Sequence, residues 1–404
     1  MFDFNAHVLG QFDSHGPLLQ PRLGFSSQAK MEAGLIATAA SSANTIGTIT
    51  LDAFTRVNDL AAAQEAIDDD TPLNVYPIVN HPADDTREMI KRVQTKHQMP
   101  VQIRHGSPNP VHIFQRMAEL GLSATEGGPV SYCLPYSRLP LREAFEFWRE
   151  ACQHLAKGSE YSHIESFAGC MMGQMCDPAV LIAINILEGL FLRQNGIATL
   201  SFSYAQGTSP VQDRAAVNAL QQLAANYFTD ASYHFVAYVF MGFFPRTLGG
   251  FCRITNDALS VVQATGIQRV ILKTPVESRR IPLIDENVAA LEYADYALNN
   301  KGILNTPDFD SEECERITRV ASQLVETTLA LDTDISEAIL NAFSSGLLSI
   351  PYCLHPDNRR NSGTVVTAEN YYHLFKGEKV ENAFSFLSAL GHNIRTYDQI
   401  IQPA

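Results

Sequence analysis

The chain has 404 residues and a formal charge of −14 at pH 7, with a pI near 5.3. This balance argues against the basic face that nucleic-acid phosphates or an anionic membrane demand, so an anionic ligand needs a local cationic pocket. The length allows one large α/β barrel with an appended lobe, or two ordinary domains. Seven cysteines, at 133, 152, 170, 176, 252, 314 and 353, lack metal-ligand spacing and read as reduced, mostly buried thiols.

The opening MFDFNAHVLGQFDSHG carries acids and no basic start, which predicts neither a secretory signal nor an organellar presequence. A strand over 17–21 then runs into Arg22, a helix covers 27–40, and a strand over 46–53 precedes Arg56. Next come a helix over 57–68, a strand over 73–79 and a helix over 86–98. The β-branched VQI of a strand over 101–104 delivers Arg104, His105 and Gly106 at its carboxyl end, and a helix over 110–121 follows. Glu126-Gly127-Gly128 leads into a strand over 129–133 that carries Tyr132, with Tyr136 just beyond. Strands over 163–167, 199–204, 234–240 and 269–273 alternate with helices over 141–157, 178–194, 212–228, 252–265 and 284–300.

Alternation of this kind predicts a parallel sheet with crossover helices, although nine strands are one more than an eight-stranded (β/α)8 TIM barrel needs. The apolar run VLIAINILEGLFL, from 180 to 192, contains Glu188 and is too short to span a bilayer, so a soluble, cytoplasmic protein is expected. We divide the chain into a barrel over 1–305 and, over 306–404, a helical segment spanning 311–346 plus a small irregular lobe containing SIPYCLHPDNRRNSGTVV.

Polar residues recur where strands give way to loops: Arg22, Arg56, Arg104, Tyr204, Gln206, Lys273 and Glu277. In a barrel this end of the strands is where ligands bind. Arginine's planar fork matches a carboxylate with two parallel hydrogen bonds, so three arginines suit a dicarboxylate. Each arginine taken alone is as well explained by a neighbouring acid. Glu126 suits a substrate ammonium, with Gly127 and Gly128 allowing close backbone approach. Tyr132 and Tyr136 fit either hydrogen-bonding phenols or core aromatics. His105 fits an acid, a base or a donor to a cofactor, or a plain rim residue. No P-loop, G-x-G-x-x-G, His-x-x-x-His or Cys-x-x-Cys occurs, and Asp13-Ser14-His15-Gly16 matches the D-x-H-x-x-G loop of cobalamin proteins only superficially.

Taken in order, LQPRLG, LDAFTRVND, VQIRHGSP, EGGPVSYCLPY, YAQGTSPVQD and VILKTPVES give a chain that resembles the large catalytic (epsilon) subunit of methylaspartate mutase, also called glutamate mutase. LHPDN near the end is similar to that family's carboxyl-terminal lobe. The resemblance implies an eight-stranded barrel that binds adenosylcobalamin against a separate small cobalamin-binding (sigma) subunit, in a homodimer of the large chain flanked by two small ones. The implied reaction is the radical interconversion of L-glutamate and threo-3-methyl-L-aspartate. Arg22, Arg56 and Arg104 match the family's substrate carboxylate holders, Glu126 its amino-group ligand, and Tyr132 and Tyr136 its two tyrosines. Glu126, Tyr132 and Tyr136 are thus the expected catalytic residues. Lys273 and Glu277 match the K-T-P-x-E residues near the adenosyl group, and His105 is expected beside the cofactor. The cobalt ligand is expected from the partner subunit.

Two stretches depart from the family pattern: SFAGCMMGQMCDP from 166 to 178, and the region around VFMGFFP from 238 to 245. They keep open an alternative, a dicarboxylate-binding barrel that has lost cobalamin chemistry. A cobalamin-independent lyase with His105 or Lys273 as base is the third reading.

Overall fold

In the computed structural model, which describes residues 2–277 and 279–376, eight parallel strands lie in the order β1-β8-β7-β6-β5-β4-β3-β2. They are β1 Leu18–Gln20, β2 Gly47–Thr50, β3 Val101–Arg104, β4 Ala124–Glu126, β5 His163–Ser166, β6 Thr199–Ala205, β7 Ser232–Tyr238 and β8 Arg269–Ile271. The ring closes beside β1, where Leu19 N–H donates to Asn44 O at 2.7 Å and Ile46 N–H donates to Leu19 O at 3.2 Å. The result is the expected (β/α)8 barrel with a small carboxyl-terminal lobe.

Two expected strands are absent and one unexpected strand takes their place. The stretch over 73–79 contains Pro77, which has no amide hydrogen, and touches the sheet only through an isolated bridge from Tyr76 to Leu51. The stretch over 129–133 is a turn, because Tyr132 N–H bonds back to Gly128 O and Leu134 N–H to Val130 O. Its apolar side chains, Val130, Tyr132 and Cys133, are nonetheless buried in the core. The true fourth strand, β4, has three residues, too few to show a period of two.

The helices include α1 Phe4–His15, α2 Gln28–Ala40, α3 Ala53–Arg56, α4 Leu60–Asp68, α5 Ala83–His97, α6 Val111–Leu120 and α7 Leu141–Gly158. They continue with α8 Pro178–Gln194, α9 Pro210–Tyr227, α10 Leu248–Thr265, α11 Ile284–Asn299, α12 Ser311–Leu329 and α13 Ile335–Ser345. In α7, Leu141, Ala144, Phe145, Trp148, Ala151, Cys152 and Leu155 are buried, the stripe that a period of 3.6 residues produces.

The expected helix over 57–68 starts three residues late, at Leu60, because Asp59 caps it, and a separate short helix, α3, capped by Asp52, precedes it. Asp334 likewise starts α13 and divides the expected helix over 311–346. Helix α1 was not anticipated. Asp13-Ser14-His15-Gly16 is its last turn, ended by Gly16 at φ 81°.

The barrel interior is polar where layers of branched aliphatics are usual. Arg269, fully buried, donates from Nη2 to Glu165 at 2.6 Å, from Nη1 to Gln20 and Gln102, and from Nε to His234 Nε2 at 3.1 Å. His234 therefore carries its proton on Nδ1 and donates to Asn5 Oδ1 at 2.7 Å, which ties α1 to the barrel. Burial, and then the Arg269 charge, push the His234 pKa well below the ordinary histidine value.

The carboxyl-terminal part packs α12 against α8 and α9 and adds an antiparallel hairpin, β9 Ser362–Val366 with β10 Tyr372–Lys376. Asp177, which caps α8, also pairs with Arg316 at 3.0 Å and accepts Leu374 N–H at 2.8 Å. The remainder of the expected lobe, from 377 onward, lies outside the described residues. All seven cysteines are free and six are buried, as expected.

Candidate active site

Alternation along the strands decides which side chains enter the barrel. Val101 and Ile103 of β3 join the apolar core, while Gln102 and Arg104 bond to polar groups across the barrel interior. Arg104 and Glu126 end β3 and β4, and Arg22 follows β1 by two residues. Arg56 ends α3, the short helix after β2. They converge on a cavity of about 800 Å³ that Arg22, Arg56, Arg104, His105, Glu126, Tyr132 and Tyr136 all help to line. Seven of the nine residues expected from the sequence therefore meet in one place.

Arg104 and Glu126 form a buried pair, Nε to Oε2 at 2.7 Å. Glu126 also accepts from Tyr132 at Oε1, 2.5 Å, and from Tyr238 at Oε2, 2.9 Å. Burial alone would raise the Glu126 pKa, but the Arg104 charge and hydrogen bond, aided by both phenols, hold it below the usual carboxylate value. Oε2 thus takes Arg104 and a share of the single Tyr238 proton, which also faces Glu165, while Oε1 takes Tyr132 and retains one position for a further donor. The Arg104 guanidinium lies 5.4 Å from the centroid of the Tyr238 ring.

Arg56 differs. Its Nε donates to Leu51 O at 2.7 Å, and the rest of its fork has no protein acceptor among the described residues. Burial lowers its pKa from the ordinary arginine value. A partly buried guanidinium without a carboxylate partner, beside Arg22 and Arg104, is a place for an anion.

His105 Nδ1 accepts Ser107 N–H at 3.0 Å, which puts the proton on Nε2. That N–H is buried and meets no side-chain acceptor among the described residues, with the Glu126 backbone as its neighbour. Burial drives the His105 pKa down to about 3, so the neutral ring offers a donor into the cavity wall. Its edge meets Tyr132 at 5.1 Å between centroids.

Lys273 and Glu277 do not line the cavity, but Glu277 pairs with Arg22, which does. Burial, and then Arg22, lower the Lys273 pKa to about 8, with Glu277 opposing. The Lys273 ammonium sits 5.1 Å from the centroid of Phe244. Tyr204 and Gln206 bond instead to Asp213 and to Ile254 O, and shape the loop after β6.

Sequence reasoning missed Tyr238, Phe167, Met241 and Arg138. Tyr238 bridges Glu126 and Glu165, the latter at 2.5 Å. The available signal was period two, since His234 and Tyr238 lie four residues apart on one face of β7. Phe167, Met241 and Arg138 line the cavity from loops, where no period exists. The two glycines also differ from expectation. A Cβ on Gly127 would lie 2.6 Å from Trp148 and Tyr132, and one on Gly128 would lie 2.2 Å from Glu188, so both serve the packing of the turn.

This arrangement defines a (β/α)8 barrel with a cationic pocket at the carboxyl ends of its strands, in which the buried Glu126 carboxylate can still accept a hydrogen bond. The chain belongs to the methylaspartate mutase E chain (MutE) family, whose model matches residues 3–372, from α1 into β10. Membership makes it a subunit of mutase type, in the isomerase class. It is 30% identical over 336 residues to the glutamate mutase epsilon subunit of Halobacterium salinarum, covering 80% of this chain and 68% of that one. With the epsilon subunit of Haloarcula marismortui it shares 29% over 365 residues, 86% and 72% of the two chains. With that of Escherichia coli O157:H7 it shares 28% over 325 residues, 75% and 66%.

Proposed function

We propose that this chain is the catalytic large subunit of an adenosylcobalamin-dependent mutase that interconverts L-glutamate and threo-3-methyl-L-aspartate, working with a separate small cobalamin-binding (sigma) subunit. The observation that carries this reading is the unpaired Arg56 fork in one cavity with Arg22, Arg104 and a Glu126 carboxylate that still has an acceptor site. The substrate is a dicarboxylate that also bears an ammonium. Arg56, with Arg22 and Arg104, holds its carboxylates, and Glu126 Oε1 accepts from its ammonium.

Adenosylcobalamin, when bound, supplies the organic radical chemistry that such a skeletal rearrangement requires. The cavity of about 800 Å³ has room beyond a small amino acid, lying high in the ~300–1,000 Å³ range of small-molecule sites. Lys273 and Glu277 stand next to Arg22 for the adenosyl side, and His105 offers an N–H that no side chain takes. No D-x-H-x-x-G motif occurs in the chain, so the cobalt ligand is assigned to the small subunit. The chain's own part is to hold reacting atoms, exclude water and keep fragments from separating. Tethering both carboxylates serves that end, and the Tyr132 and Tyr238 phenols keep Glu126 in place.

An apolar rim supports the partner. Phe54 and Val57 after β2, Tyr136 after β4, and Phe243 and Leu248 after β7 are exposed around the same end of the barrel as the cavity. A homodimer of this chain flanked by two small subunits completes the proposed assembly.

The test is direct. Purified chain, a small subunit verified to bind adenosylcobalamin, the cofactor and L-glutamate should yield methylaspartate detectable by NMR. Absence of product would reject the mutase reading, and glutamate binding without product would leave a dicarboxylate-binding barrel.

A further inference from the structure

We infer that Glu188, on α8, is a positioning residue for the candidate pocket: its carboxylate is the form around which the turn bearing Tyr132 folds. Glu188 is fully buried and does not line the cavity. Its Oε1 accepts Val130 N–H at 3.0 Å and Ser131 N–H at 2.8 Å. Its Oε2 accepts the hydroxyls of Ser131 at 3.0 Å and Ser166 at 2.9 Å. No cation pairs with it among the described residues, so every acceptor site in use is filled by a neutral donor.

Those donors come from two segments only. One is the turn after β4, whose next residue, Tyr132, donates to Glu126. The other is the end of β5, whose next residue, Phe167, packs 4.8 Å from the Tyr132 ring and lines the cavity. Backbone amides that are buried must be satisfied, and Glu188 does this for two consecutive ones that no strand serves. Gly128 completes the fit, because a Cβ there would meet the Glu188 carboxylate at 2.2 Å. The turn is thus closed on three sides: Glu188 inside, Trp148 and Tyr132 against Gly127, and Glu126 at the tip of the Tyr132 hydroxyl.

This assignment rests on the reading of the cavity as a site for an acidic amino acid, but part of its test is independent of that reading. Trp148 is the only tryptophan in the chain and packs on this turn, with ring centroids 6.2 Å from Tyr132 and 5.8 Å from His105. Its emission therefore reports where the turn sits. In Glu188→Gln the amide oxygen still accepts both backbone N–H groups, and its NH₂ donates to the two serine hydroxyls, which rotate to accept. In Glu188→Leu neither amide has a partner.

The experiment measures Trp148 emission and, by calorimetry, L-glutamate affinity for the full chain and both variants. We expect Glu188→Leu to shift the emission and weaken glutamate binding by about tenfold or more. Glu188→Gln should match the parent in emission and bind within about threefold. Unchanged emission in Glu188→Leu overturns the assignment, as does a Glu188→Gln as impaired as the leucine variant. If Glu188→Leu does not fold, Gly128→Ala and the pair Gly128→Ala with Glu188→Asp decide: the first should displace the emission and the second restore it, and failure of that rescue overturns direct contact. A parent that binds no glutamate would count against the proposed function, while the emission arm would still judge Glu188.

Discussion

Two arginine–glutamate pairs share the interior of this barrel, and they differ in what they leave open. Arg269 and Glu165, sealed from solvent, sit in a layer where Gln20, Gln102, Ser201 and His234 also bond to the guanidinium. Arg104 and Glu126, toward the carboxyl ends of the strands, face a cavity in which Glu126 retains an acceptor site and Arg56 retains donors. The chemistry is the same, but only the second pair can still bind something. Buried charges that are saturated specify a structure, whereas buried charges with spare capacity mark a site. Tyr238 links the two by touching both carboxylates.

Breaking the sealed pair should have the largest effect. Arg269→Met leaves Glu165 buried without its cation, at a cost of roughly 3 to 5 kcal/mol in folding stability. Denaturant unfolding checks this, and a loss no greater than for Arg56→Met would erase the contrast between the two layers.

Glu188 and Asp213 add a pH term of their own. Burial raises the Glu188 carboxyl to about 7 and the Asp213 carboxyl to about 7, and among the described residues neither forms an ion pair that would oppose it. The folded chain then binds these protons more tightly than the unfolded chain, so stability falls as pH rises from the unfolded carboxylate range toward 7 and levels off above it. For Glu188 the full change is on the order of 3 kcal/mol. Glu188→Gln should lose stability less steeply than the parent across that interval in unfolding curves. An identical pH dependence in the two proteins would show that Glu188 titrates normally.

Arg56→Met tests the open layer. It should weaken glutamate binding by about ten- to a hundredfold, the worth of a charge-assisted hydrogen bond of ~1.5 to 3 kcal/mol, while stability holds or rises slightly. Calorimetry with a parallel melting curve separates these, and a variant that melts early yet binds normally would make Arg56 structural. The smallest effect is expected from Tyr238→Phe, about 0.5 to 1.5 kcal/mol in stability with affinity changed only a few-fold. A loss as large as that of Arg269→Met would mean that the two layers form one network.

Much of this was legible in the sequence. The alternation of strand and helix patterns determined the fold class, because a parallel barrel repeats one local unit whose periods survive in the chain. VQIRHG announced Arg104 and His105 at a strand end, and EGGPVSY announced a carboxylate close to a phenol, because these residues are neighbours in sequence as well as in space. The motif order also pointed to the family that the whole-chain match shows.

What the sequence could not decide was who pairs with whom across the barrel. Residues as distant as Glu126 and Tyr238, or Glu188 and Ser131, meet only when the ring has closed. The stretch over 129–133 has the composition of a strand, yet it folds as a turn because Glu188, presented by α8, takes the amides that a strand would have spent on its neighbours. Arg22, Arg56 and Arg104 look alike in sequence, and closure alone makes Arg56 the one without a carboxylate. A local pattern records which residues a chain offers, while the valences left unfilled depend on partners that only the tertiary fold brings within hydrogen-bonding distance.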